Sequence, residues 1–327
     1  MHLFDLGELT PAKCGQSVPD WARGCFRRRS ITYYGGRVDE TTEVLWLQSG
    51  GLTADFRLSP SVRTAQDAAR AQLRLSPPAL TPAQALTRLS LSELVALAGV
   101  EGGISRARWD GECMHWSDWI SFQTHAKWPE PGRLQRVGNC LIEFAPSGAY
   151  VEDWRAQPAG DGPLIGLSLV DERELGSGHV RHMGGGLIVC GDHAAFVRGR
   201  APGLLFEHGS EARVDELVWR SAREPTTLQR VFGLDASYAR ADAAGAFVVS
   251  ASTLPWRLEQ PLIELDGFAY DAERDRLVQR VEEGGIAIER RFTIDTLEPR
   301  FVAAESTVPS PEAEDWFERE RQGLLGE

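Results

Sequence analysis

Residues 149–155, Ala-Tyr-Val-Glu-Asp-Trp-Arg, alternate so that Tyr150, Glu152 and Trp154 share one parity while Val151, Asp153 and Arg155 share the other. On a β-strand this sets a carboxylate between two aromatic side chains. Such a group either pairs with a cation or has its pKa raised by desolvation, and the second state suits general acid or base chemistry. The plainer alternative is a glutamate on a barrel rim with aromatic packing around it. A second stretch, Met114 to His125, splits into Met114, Trp116, Asp118, Ile120, Phe122 and Thr124 against His115, Ser117, Trp119, Ser121, Gln123 and His125. The first set is apolar except at Asp118. The second has the composition of a solvated outer face or of a wet cavity wall. Together the two stretches offer Glu152 as acid or base, assisted by Asp118 or His115, with Trp116, Trp119, Tyr150 and Trp154 as walls for a hydrophobic or aromatic ligand.

Further along, Arg290 falls in the apolar parity of Ile286, Ile288, Phe292 and Ile294, where an unpaired charge is costly. It requires either an internal acid or an anionic ligand group. Trp256 and Arg257 follow a strand alternating at Phe247, Val249 and Ala251, and could cap a cavity mouth or simply pack.

Other chemistries lack support. His179, His182 and His193 lie close in sequence without further ligands at metal spacing. No G-x-S-x-G, no phosphate-cradling loop and no G-x-G-x-x-G after a strand is present, so no nucleotide, cofactor or serine-hydrolase chemistry is expected. Asp192-His193 could form a dyad, but its glycine context reads as an exposed hairpin tip. The five cysteines, Cys14, Cys25, Cys113, Cys140 and Cys190, are scattered and read as reduced thiols acting as small buried hydrophobes.

The elements that must position these residues are short antiparallel strands. Period-two alternation recurs in runs broken by Gly, Pro or Asp. Leu277 to Val281 and the run from Ile286 form a hairpin across Glu283-Gly284-Gly285, and Leu134 to Val137 pairs with Cys140 to Phe144 across Gly138-Asn139. Both carry Gln-Arg-Val, at 135–137 and 279–281, which are 144 residues apart. At a compatible offset the hairpin Val44 to Leu58 lines up with Leu187 to Arg198. Two matches in one order suggest a duplication. Helices enter as insertions: 63–74, then Leu94 to Gly99 opened by Ser92 and Glu93, a shorter one around Glu211 to Trp219, and a terminal helix from Ser310 to Arg321 bearing Trp316 and Phe317.

At 327 residues the chain exceeds the roughly 250 to 300 at which one core stops growing. The expected architecture is mainly β: two tandem antiparallel barrels, residues 1–160 with a helical insertion at 60–100, and residues 161–327 with the terminal helix. A net charge of -12 repels phosphate backbones and anionic lipid, so nucleic acid is not an expected partner. The apolar runs fall far short of the roughly 20 residues that span a bilayer. The start of the chain lacks the pattern of a signal peptide, and the expected location is the cytoplasm. Association into homo-oligomers is left open.

Trp116-Ser117-Asp118-Trp119-Ile120-Ser121-Phe122-Gln123, Gly132-Arg133-Leu134, Leu141-Ile142-Glu143 and Tyr150-Val151-Glu152-Asp153-Trp154, with the later stretch Ser252 to Arg257, resemble a family of two-domain lipocalin-like proteins. The family is represented in fungi by an Hrr-kinase-interacting protein and has bacterial relatives. The resemblance implies two tandem lipocalin-like barrels and carries over no catalytic residue. The leading expectation is a small-molecule protein binding a hydrophobic or aromatic metabolite. Its rivals are a cofactor-independent lyase, isomerase or cyclase, and a protein-interaction scaffold.

Overall fold

The computed structural model describes residues 1–8, 17–74, 82–125, 130–160, 162–206 and 212–304, with Asp315, Glu318 and Arg319 beyond them. Trp316 and Phe317 of the expected terminal helix therefore lie outside the described residues, as does Cys14.

Alternating runs ended by glycine turns give nine strands over the first half: β1 (Gly24–Tyr33), β2 (Val38–Asp39), β3 (Glu43–Gln48), β4 (Leu52–Leu58), β5 (Glu101–Trp109), β6 (Cys113–Ser121), β7 (Gly132–Val137), β8 (Cys140–Phe144) and β9 (Tyr150–Ala156). Except for the β2 flap on β1, they form one antiparallel ring in the order β1-β3-β4-β5-β6-β7-β8-β9, and β9 returns to pair with β1 from Phe26–Ala156 to Tyr33–Tyr150. An eight-stranded barrel results, and closure leaves its strands without free edges. One seam is thin: among the described residues β6 and β7 meet only at Cys113–Arg133 and Met114–Gly132.

A second sheet follows, built of β10 (Leu164–Glu174), β11 (Val180–Met183), β12 (Gly185–Cys190), β13 (His193–Arg198), β14 (Asp235–Ala241), β15 (Phe247–Ser252), β16 (Phe268–Asp271), β17 (Arg276–Glu283) and β18 (Ile286–Glu298). Its order is β15-β14-β13-β12-β10-β18-β17-β16, with β11 hung on β10. β18 returns to β10 as β9 returns to β1. Among the described residues β15 and β16 do not pair with each other, at the position corresponding to the thin β6–β7 seam. Counting around each sheet from this return sets the β3–β4 hairpin against β12–β13. It also sets β17 against β8 rather than β7, so the two Gln-Arg-Val segments fall on strands that do not correspond.

The helices occupy the matching place in each half, after β4 and after β13: α1 (Pro60–Arg74), α2 (Pro82–Arg88), α3 (Leu91–Leu97), α4 (Val214–Ser221) and α5 (Pro225–Val231). Ser90, not Ser92, caps α3: its hydroxyl accepts from Glu93 N at 3.3 Å while the Glu93 carboxylate takes the Ser90 N–H. α5 has no counterpart in the sequence reading. None of the described helices is long and apolar enough to cross a membrane.

The two sheets pack side by side. One apolar layer joins the outer face of the barrel (Leu45, Leu47, Phe56, Ile104) to that of the second sheet (Ile188, Val197, Ala236, Ala251), with helix residues Val62, Leu94, Val218 and Val231 closing over it. Strands β12 and β13 are consequently buried at every position, and β3 at all but its first, which erases their alternation. Polar contacts stitch the same junction: Asp295 accepts from Ser49 Oγ at 2.8 Å and from Gly51 N at 3.0 Å. The interior of the second sheet is filled by Leu167, Leu187, Phe196, Phe268 and Phe292. Leu3 and Leu6, which the sequence division places with the first half, are also buried there. The interior of the barrel is filled less completely.

Candidate functional site

Inside the barrel lies a cavity of about 110 Å³, with the indoles of Trp46 (β3), Trp116 and Trp119 (β6) and Trp154 (β9) and the ring of Tyr150 (β9) in its wall. Polar groups converge from Thr53, Asp55 and Arg57 on β4, Glu101 at the start of β5, Ser121 and Gln123 at the end of β6, and Glu143 on β8. Glu130 and His125 line the cavity as well, on the side where β6 and β7 diverge beyond Met114. Outside it a vestibule lined by Ala98, Gly99, Thr124 and Arg213 shares Glu101, Gln123 and His125 with the cavity.

A β-bulge decides which residues face this space. Opposite Ile104 to Arg106 on β5, the β6 strand runs from Ile120 to Ser117 and so carries one residue too many, and Asp118 adopts φ 53°. Inward parity is therefore exchanged at Asp118. Trp116 faces in before the bulge; Trp119, Ser121 and Gln123 face in after it, while Phe122 packs outward on Phe232 with ring centroids 5.9 Å apart. Strict alternation had set Trp116 and Trp119 on opposite faces. The bulge brings both to one wall.

The electrostatics centre on two glutamates. Glu152, 1% exposed, accepts from Arg28 Nη1 at 2.6 Å and lies 3.8 Å from Arg57 Nη1. It is the partnered carboxylate of the two readings offered by the sequence, and it is not among the residues lining the cavity. Glu143, 4% exposed, does line it, and accepts from Tyr150 Oη at 3.0 Å and Trp154 Nε1 at 3.1 Å. Burial, then the neighbouring charge of Glu152, pushes the Glu143 carboxyl up to about 8, so at neutral pH it is largely a neutral acid. The phenol of Tyr150 is also driven upward, by burial and by Glu143. Arg57 is claimed by Asp55 through Nε at 3.1 Å and Nη2 at 2.9 Å.

Gly132 makes room for this carboxyl. A Cβ there would stand 2.8 Å from Glu143 Oε1. Gly132→Ala must displace the carboxyl from Tyr150 and Trp154, and we expect a stability loss of about 1–3 kcal/mol in urea unfolding. An unchanged midpoint would show that the acid relocates freely.

Other sequence candidates lie elsewhere. Asp118 is 74% exposed at its side chain, on the outside of the bulge, and His115 pairs with Asp110 at 2.6 Å on the rim. Neither lines the cavity. Trp256 packs near Phe232, centroids 6.5 Å apart, in the layer between the sheets. Arg290, fully buried, donates to Glu172 Oε2 at 2.7 Å, to Gln279 Oε1 at 2.9 Å and to Glu283. That is the internal-acid alternative, and it leaves the guanidinium committed inside the second sheet. The pair mirrors Arg28–Glu152 with polarity reversed: arginine on β1 and glutamate on β9, glutamate on β10 and arginine on β18.

His193 is buried rather than exposed at a hairpin tip. Its ring meets Tyr238 Oη at 2.5 Å through Nδ1 and Pro158 O at 2.9 Å through Nε2; Asp192 Oδ1 lies 3.3 Å from the same Nε2, and its other oxygen takes Arg240 at 2.8 Å. Burial pushes the Cys190 thiol up to about 12, the opposite of an activated thiolate.

Sequence reasoning missed Glu143, Trp46, Asp55, Arg57 and Glu101. For Glu143 a signal existed: it shares parity with the buried Leu141 and Ala145, an acid in an apolar register as Arg290 is a base in one. Glu101 and Arg57 had no such mark.

The fold and cavity define a mainly β protein whose closed eight-stranded barrel holds an aromatic-walled, carboxyl-bearing interior. No family model and no curated protein sequence matches the chain. Among solved structures, the crystal structure of an uncharacterized protein from Saccharomyces cerevisiae aligns over 84% of this chain and 98% of its own, with a TM-score of 0.39 and 10% identity. At that score the account of the fold rests on the strand pairing alone.

Proposed function

We propose that this protein binds a small hydrophobic or aromatic molecule inside its first barrel, admitted at the thin β6–β7 seam. The observation that carries the reading is the cavity itself: four indoles and a phenol around a few convergent polar groups, the usual composition of a small-ligand site. Because the walls are tryptophans, occupancy is readable by intrinsic fluorescence. Titration with a panel of aromatic metabolites is expected to shift or quench the emission saturably, and Trp116→Leu to weaken the response. A flat signal across the panel would overturn the proposal.

A second reading, a cofactor-independent lyase, isomerase or cyclase, is favoured by Glu143. A carboxyl kept protonated near neutrality and bonded to Tyr150 beside a cavity can act as a proton donor. The acid/base role first considered for Glu152, Asp118 and His115 then passes to Glu143, because Glu152 is neutralised by Arg28 and the other two sit outside. Glu143→Gln would abolish turnover and spare affinity.

The finer architecture proposed is two tandem lipocalin-like barrels descended from a duplication, in lobes divided near residue 160, supported by the parallel return of β9 to β1 and of β18 to β10. A cytoplasmic protein without nucleic-acid partners fits the net charge of -12.

A further inference from the structure

The polar groups of the cavity differ sharply in what they leave for a ligand. Most of its donors are spent within the wall. Trp46 Nε1 donates to Gln48 Oε1 at 3.2 Å, Trp116 Nε1 to Thr53 Oγ1 at 3.1 Å, and Trp154 Nε1 and Tyr150 Oη to Glu143. Thr53 Oγ1 in turn donates to Gln48, and the Gln123 amide nitrogen to Ala98 O at 2.9 Å and Val100 O at 2.6 Å. What these residues can still offer a ligand is ring surface and acceptor oxygen. Among the described residues, Trp119 is the one wall indole whose N–H has no partner.

Charge points the same way. Among the described residues the lining holds Asp55, Glu101, Glu130 and Glu143 against a single guanidinium, Arg57. That guanidinium is clasped by Asp55 and faces Glu152 and Glu101 as well, so it is no anchor for an anion. With Glu143 neutral the remaining acids still outnumber Arg57. In the vestibule Arg213 is paired with Asp215 at 3.2 Å.

We infer that the ligand of the first barrel is a cation, a small amine whose ammonium sits against the indole faces with its N–H groups toward the wall carboxyls. The inference rests on the cavity being a ligand site. Aromatic faces attract cations through their quadrupole, and a desolvated site strengthens that attraction. A carboxylate or phosphate entering the same space would meet an excess of like charge, with Trp119 Nε1, the Ser121 hydroxyl and Arg57 Nη1, itself 3.8 Å from Glu152, as the donors left to it among the described residues.

The test is an isosteric series followed by tryptophan fluorescence and calorimetry at pH 7: benzylamine, benzyl alcohol and benzoate. We expect benzylamine to bind about tenfold or more tightly than benzyl alcohol, the size of one desolvated cation–π contact, and benzoate to bind least. Glu101→Gln should weaken benzylamine several-fold and leave benzyl alcohol unchanged. Benzyl alcohol or benzoate binding as tightly as benzylamine would overturn the charge preference and leave the cavity proposal standing. Silence from all three would remove both.

Discussion

Arg290→Met is expected to cost on the order of 3–5 kcal/mol of folding stability, the scale of breaking a buried ion pair by removing one partner. Arg290 is wholly buried and donates to Glu172, Gln279 and Glu283. Without it the carboxylate of Glu172, also fully buried, keeps Arg198 at 3.5 Å and the more distant Arg181 Nε at 3.8 Å. Burial alone would raise the Glu172 pKa, but Arg198 and Arg290 together hold it down at about 2. Its stabilising contribution is thus complete above the unfolded value of 4.5 and is lost as pH falls toward 2. In the variant that loss should begin at higher pH. Urea unfolding at pH 7 reads the main effect, and Arg290→Met with Glu172→Gln should recover much of it, because the double change removes the orphaned charge. A single-variant loss below about 1 kcal/mol would mean that the network contributes no more than a surface pair.

Glu143→Gln is the second large effect, and its sign depends on pH. Burial and the charge of Glu152 raise the Glu143 carboxyl from 4.5 to about 8 in the folded protein. The folded state therefore holds this proton more tightly than the unfolded chain does. The associated stability is fully present below pH 4.5 and is lost as pH rises through about 8. At about 1.4 kcal/mol per unit, the loss across that window is on the order of 3–5 kcal/mol. Glutamine stands in for the neutral acid at every pH: its oxygen can accept from Trp154 Nε1 and its amide can donate to Tyr150 Oη. The variant should match the wild type near pH 4 and exceed it by a few kcal/mol near pH 9. Subtracting the two profiles removes every other titrating group common to both. Parallel profiles would place the Glu143 proton elsewhere.

Glu143 and Arg290 show how far alternation can be read. Both announce themselves as charges in an apolar register, since Leu141 and Ala145 flank one and Ile288 and Phe292 the other. Only Arg290 stands out plainly, because its strand is amphipathic. The strand of Glu143 carries Cys140, Ile142 and Phe144 on its opposite face, so both parities look apolar and the inward one is ambiguous. The same ambiguity covers β3, β12 and β13, which are buried on two faces by the packing of one sheet against the other. At Asp118 alternation fails for another reason. The bulge is a property of pairing with β5, and nothing local in Trp116-Ser117-Asp118-Trp119 requires it.

The sequence by itself determined that this chain is built of short antiparallel strands, that the β3–β4 and β12–β13 hairpins turn where their glycines stand, that Tyr150, Glu152 and Trp154 share a face, and that Arg290 needs a partner. Each follows from local conformational preference and the period of a strand, which act over a few residues. The tertiary structure alone decided that β9 closes on β1, that Leu3 and Leu6 fill the second sheet while the first keeps a cavity, and that Trp119 joins Trp116 on one wall. It also decided that Glu152 is spent on Arg28 and that Glu143 is the carboxyl facing the cavity. These depend on which distant groups share a low-dielectric interior, and burial and charge are set there by neighbours far away in the chain.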